Sequence, residues 1–199
     1  MPPNYPLLIL VPLALASCTT PDFVDRDTHH HTKPRATPLD APGDGGFSYW
    51  RGWTASGPAS ITIDLSDQAA YFYKGNTLVG RARVATGKTG NSTPTGNFKI
   101  SEKKINKESN LYGTTRDRQG RAVNSNADTR RHSAPAGGYF DGADMPYWMR
   151  FNSSSIGMHA GPIPDAGNPA SHGCVRLPPH MARLFYNDAP PGTPVRIKN

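Results

Sequence analysis

AAYFYKGNTLVGRARVAT, residues 69–86, sets two runs of aromatic and aliphatic residues on either side of Gly75-Asn76. Such runs favour extended backbone, and a Gly-Asn pair tolerates the tight reversal between two strands, so the stretch predicts a β-hairpin. Just upstream, Ile61, Ile63 and Leu65 alternate with polar residues, the period of a strand with one buried face. Downstream, GKTGNSTPTG (87–96) is a turn-rich connection, and NFKIS (97–101) restores period two. YWMRF (147–151), SIGMH (155–159) and TPVRI (193–197) read as further strands. A helix is expected from about Pro178-Pro179, with Met181, Leu184 and Phe185 on one face; proline suits the first turn, where its missing N–H costs nothing. There is no internal repeat. The expected fold is mostly β, with one or two short helices.

Working outward to the N-terminus, MPPNYPLLILVPLALASCTT (1–20) carries an apolar run from Leu7 to Ala16. That run is shorter than the ~20 residues a membrane-spanning helix needs and reads as the core of an export signal over residues 1–17. Leu15-Ala16-Ser17-Cys18 resembles the bacterial lipobox, whose cysteine is acylated and becomes the first residue of the mature chain. Cys18 is therefore expected to be a lipid anchor, with a signal cut near Ala16 as the alternative, since the first residues lack Lys and Arg. Residues 18–58 are rich in Thr, Pro, Asp, Gly and His and read as a flexible tether. The run His29-His30-His31 in it reads as solvated rather than metal-binding. The remainder, 59–199, has the length of one ordinary domain.

Residues 106–146 show little periodicity and read as one long irregular loop, the kind that usually serves as a lid or binding loop. From Lys99 to Arg131 there are nine basic residues (Lys99, Lys103, Lys104, Lys107, Arg116, Arg118, Arg121, Arg130, Arg131) against four acidic ones, in a chain of net charge +7. Nucleic-acid binding would interleave aromatics with such charges, and export removes the partner, so no nucleic acid is expected; an anionic polymer outside the cell fits better.

The chemistry centres on Cys174. The only other cysteine is Cys18, so a lipidated Cys18 leaves Cys174 without a disulfide partner. Cysteine catalysis needs a base and donors for the oxyanion. His172 stands two residues before Cys174 and rarely aims its ring at the sulfur from there, whereas His159 ends a predicted strand and is the better base. The N–H groups of Gly173 and Cys174 are candidates for the oxyanion hole. Arg176 shares a side with Cys174 in an extended segment and can hold a carboxylate. A zinc site built from His159, His172, Cys174 and His180, and an inert buried thiol, are the rival readings of these residues.

MHAGPIPDAGNPASHGCVRL (158–177) resembles the active-site signature of the L,D-transpeptidases, and TPTGNFKI, YFYKGNTLVGRARVATG, MPYWMRF and GTPVRI resemble other blocks of that domain in the same order. The resemblance covers about residues 59–198. It implies a β-sandwich-like catalytic domain and a bacterial cell-envelope enzyme acting on peptidoglycan stem peptides without metal or cofactor. Cys174 would be the acyl-accepting nucleophile and His159 the proton acceptor and donor, with His172 and Gly173 shaping the oxyanion side. Ser171 and Arg176 would lie toward substrate, Arg176 in a binding or structural role. The 106–146 stretch is then expected to fold over the cleft, Arg130 and Arg131 holding stem carboxylates and Tyr112 or Tyr139 packing on the aliphatic part. A carboxypeptidase or peptidase on the same scaffold, and a non-catalytic peptidoglycan-binding module, are the alternatives. The expected location is the periplasm, on a lipid anchor, with Thr19 favouring the outer membrane. No sequence feature indicates an oligomeric state.

Overall fold

A computed structural model of the chain describes residues 47–151, 154–164 and 167–199. The expected signal peptide, Cys18, Thr19, the three consecutive histidines and most of the tether lie outside the described residues. In chain order the first elements are β1 (Tyr49–Trp50), β2 (Ala59–Asp64), β3 (Ala69–Lys74), β4 (Thr77–Arg83) and β5 (Gly96–Lys99). Then come β6 (Glu102–Lys104), β7 (Glu108–Arg116), β8 (Ala122–Asp128), β9 (Tyr139–Asp144), β10 (Trp148–Arg150), β11 (Gly157–Ala160) and β12 (Val175–Leu177). The helix α1 (Pro179–Asp188) and β13 (Pro194–Lys198) follow. The fold is mostly β with one helix among the described residues, and no helix there is long and apolar enough to cross a membrane.

The hairpin forms from β3 and β4 about Gly75-Asn76, with Gly75 at φ 56°, a conformation a side chain would penalise. It sits inside a six-stranded sheet ordered β1-β4-β3-β2-β13-β5, and a second sheet is ordered β12-β11-β10-β6. Ile61, Ile63, Phe72, Val195 and Ile197 from the first sheet, and Met149, Met158, Val175 and Leu177 from the second, share one core. Met181, Leu184 and Phe185 of α1 join it. Phe185 meets Phe72 edge-on at 5.0 Å and Trp50 at 5.7 Å.

Two expectations are corrected here. The folded region begins before residue 59: Tyr49 and Trp50 pair with β4, and Trp50 is buried against Phe72. One buried tryptophan outweighs the polar composition around it. Residues 106–146 are not irregular, because they hold a third sheet ordered β8-β7-β9. Its register shifts repeatedly, between Gly113 and Thr115 on one side and between Glu108 and Gly113 on the other. Bulges of this kind erase the alternation that marks a strand in sequence. The sheet also buries little apolar surface and is tied instead by polar pairs such as Arg116 to Asp141 at 2.7 Å. Its glycines serve close approach: a Cβ on Gly113 would stand 2.1 Å from the Asp141 carbonyl oxygen.

Candidate active site

Strands β11 and β12 run parallel, with Met158 paired to Val175 and His159 to Arg176. Alternation sends Met158, Ala160, Val175 and Leu177 into the core and leaves His159, Cys174 and Arg176 on the opposite face. Cys174 enters β12 level with Gly157, whose backbone N–H donates to its sulfur. His159 is only 5 % exposed, and the Trp148 ring packs 6.1 Å from its own.

Burial decides the protonation states. It pushes the His159 imidazole down to about 4, aided by the charge of Arg176. The same burial pushes the Cys174 thiol up, against the opposing pull of the Gly157 N–H and of Arg176. Burial lowers His172 as well, with Lys88 and Arg176 adding to it. Near neutral pH the resting pair is thus a thiol beside a neutral imidazole. His159 Nδ1 lies 2.7 Å from the Ala160 carbonyl oxygen; that oxygen only accepts, so Nδ1 carries the proton and Nε2 presents its lone pair.

The turn that presents Cys174 is held from behind by the segment after the hairpin. The Thr86 carbonyl accepts from the N–H groups of both Ala170 and Ser171 at 2.9 Å, Lys88 N–H donates to the Ser171 carbonyl at 3.0 Å, and Ala85 exchanges two bonds with Arg176. Thr93 Oγ1 accepts from Gly87 N–H at 2.9 Å and donates to the Gly173 carbonyl at 2.8 Å. The buried Gln68 side chain grips Thr86, accepting its N–H at 3.0 Å and donating to its hydroxyl at 2.7 Å. A Cβ on Gly87 would stand 2.9 Å from Gly173 Cα, and Gly173 itself has φ 113°. Gln68, Thr86 and Thr93 were not anticipated from sequence. The threonine-rich turn 87–96 was the one available signal, and Gln68 had none.

Two expected roles change. The Gly173 N–H donates to Ser171 Oγ at 3.1 Å, so it is already committed inside the turn rather than offered to an oxyanion. Ser171 is 1 % exposed and its hydroxyl donates back to the Cys174 carbonyl at 2.5 Å. Its hydroxyl thus braces the turn on both sides. Of the remaining expected residues, Tyr112 on β7 stacks on His172, with ring centroids 4.2 Å apart and planes at 18°. Arg130 donates to the Tyr112 hydroxyl at 2.8 Å. Arg131 and Tyr139 are exposed, Arg131 donating its N–H to the Asp128 carbonyl at 2.9 Å. His180, weighed as a zinc ligand, lies on α1. Among the described residues no three of His, Cys, Asp or Glu are grouped to hold a metal ion.

The fold occurs in known proteins. The protein-family model described as YkuD, L,D-transpeptidase catalytic domain, matches residues 58–197. No curated protein matches the chain significantly. Among solved structures, an L,D-transpeptidase from Mycobacterium smegmatis superposes with TM-score 0.55 at 18 % identity, over 71 % of this chain and 59 % of that one. One from Stackebrandtia nassauensis gives 0.52 at 22 % identity, over 73 % and 57 %. An L,D-transpeptidase in complex with imipenem gives 0.53 at 20 % identity, over 70 % and 58 %. These matches thus span less than two thirds of the solved chains. The structures share the fold, and the match over 58–197 carries the assignment: the chain belongs to the L,D-transpeptidase catalytic-domain family.

Proposed function

We propose that the protein is an L,D-transpeptidase that remodels peptidoglycan stem peptides through a thioester on Cys174, in the periplasm and on a lipid anchor at Cys18. The observation that carries this reading is the face shared by Cys174, neutral His159 and Arg176. The sulfur attacks a stem carbonyl as its proton passes to His159 Nε2. The Cys174 N–H faces the oxyanion in place of the committed Gly173 N–H. Breakdown of the tetrahedral intermediate cleaves the carbon–nitrogen bond, and the departing amine takes the proton from Nε2, leaving a thioester. An acceptor amine then attacks the thioester, gives its proton to Nε2 and forms the new amide. The sulfur leaves and is reprotonated from His159. The Arg176 charge bears on sulfur and imidazole alike, favouring the thiolate as it forms.

The test is mass spectrometry of muropeptides after incubation with tetrapeptide stems. Cross-linked dimers support the proposal; trimmed tripeptides alone mean that water resolves the thioester and the protein is a carboxypeptidase. No change, together with no acylation of Cys174 by a carbapenem, leaves a binding module. Cys174→Ala is expected to abolish turnover and acylation while the fold persists. The family member solved with imipenem motivates the choice of a carbapenem probe.

A further inference from the structure

We propose that Arg130 is a positioning residue that holds the Tyr112 ring against the His172 imidazole and so fixes the turn bearing Cys174. This rests on the transpeptidase reading and deepens it. The expectation from sequence was different, namely that Arg130 grips a carboxylate of the donor stem. Its Nε and Nη2 donors are engaged elsewhere. Nε and Nη2 form a fork on Asp128, at 2.9 Å to Oδ1 and 2.7 Å to Oδ2, the planar bidentate geometry that only a guanidinium offers. Nη2 also donates to the Tyr112 hydroxyl at 2.8 Å. Asp128 in turn is fixed by the Arg130 N–H at 3.0 Å and, through its own N–H, by His132 Nδ1 at 3.0 Å. Tyr112 and Asp128 face each other across β7 and β8, so strand pairing presets the distance that the guanidinium bridges.

The far side of Tyr112 completes the chain of contacts. Its ring lies nearly parallel to that of His172 at 4.2 Å. His172 is the neighbour of Gly173, whose positive φ makes the turn. Holding the imidazole therefore restrains the backbone that presents the Cys174 N–H and sulfur. The third sheet and the catalytic turn act as one latch, with Arg130 as its catch.

A clamp on the stem and a catch on the turn differ in what they change. Loss of a stem clamp raises KM for stem peptides and leaves acylation by a small carbapenem untouched. Loss of the catch slows both reactions with KM nearly constant, because the damage is to the nucleophile's own placement. Arg130→Ala is expected to slow carbapenem acylation about 10-fold, the scale of a small misplacement of reacting groups. Tyr112→Phe keeps the ring and loses the hydroxyl, and should reproduce most of that effect. The double variant should be no slower than the worse single, since both cut one pathway. Arg130→Lys should not rescue. Arg121→Ala, which removes another exposed arginine from the turn between β7 and β8, should acylate like the wild type. In NMR spectra the His172 ring protons should move away from their ring-current-shifted positions in Arg130→Ala while the His159 signals stay. If Arg130→Ala does not fold, the same spectrum of Tyr112→Phe decides. A KM effect alone, additive single effects or unmoved His172 signals overturn the proposal. A wild type that carbapenem does not acylate overturns the transpeptidase reading instead, and the spectra still judge the latch.

Discussion

The proposed base, His159, is buried, and its pH behaviour follows from that. Its value of about 4 lies below the ordinary 6.5, so it stays neutral through the range where an exposed imidazole titrates. The acid limb of the rate of Cys174 acylation by a carbapenem is therefore expected near pH 4, and a midpoint near 6.5 would refute the assignment. The same group makes stability pH-dependent. Its folded value is the lower one, so the unfolded chain binds the proton first. The stabilisation is whole above pH 6.5 and drains as pH falls to about 4, on the order of 3 kcal/mol in all. Urea titrations at pH 7 and pH 4.5 measure it. At this scale the sequence was legible where a residue's place depends on strand neighbours: Cys174, His159 and Arg176 do share a face. It was illegible for Ser171 and the Gly173 N–H. Spacing says which groups are near each other, and never which have already satisfied one another.

Elements were legible in proportion to their apolar period. The β3–β4 hairpin and α1, with Met181, Leu184 and Phe185 buried, announce themselves because burial dictates their pattern. The β7–β8–β9 sheet is polar and bulged, so no pattern survives in its sequence. The segment 85–93 is intermediate, a turn whose brace function appears only when β12 is beside it. Thr93 tests that function. Thr93→Val keeps the shape and removes the hydroxyl, stranding the half-buried Gly87 N–H and the buried Gly173 carbonyl that it joins. A loss of about 2 kcal/mol in unfolding free energy is expected, with slower acylation of Cys174. Thr93→Ser should restore both, and equal behaviour of Val and Ser would show that the hydroxyl is idle.

For the whole molecule, the proposed anchor and the domain are separate concerns. From Cys18 to Phe47, the first described residue, covalent geometry allows a span of at most about 100 Å. Cys18→Ser is expected to move the protein from the membrane fraction to a soluble or unprocessed one, while Cys174 still reacts with carbapenem. An unchanged membrane fraction would remove the anchor from the proposal. The order of the large sheet carries one more consequence. Strand β13 lies between β2 and β5, parallel to the first and antiparallel to the second, and the described residues give β5 no other sheet partner. A ribosome adding residues in order supplies this central strand after every other described element. Until then β5 has no edge to join, and the pairing that admits it closes a loop of 134 residues between Asp64 and Lys198, a slow step by its length. The nascent chain is thus kept from completing its sheet until β13 has been made, a delay that suits the proposed export, in which a polypeptide is threaded through a membrane before it folds.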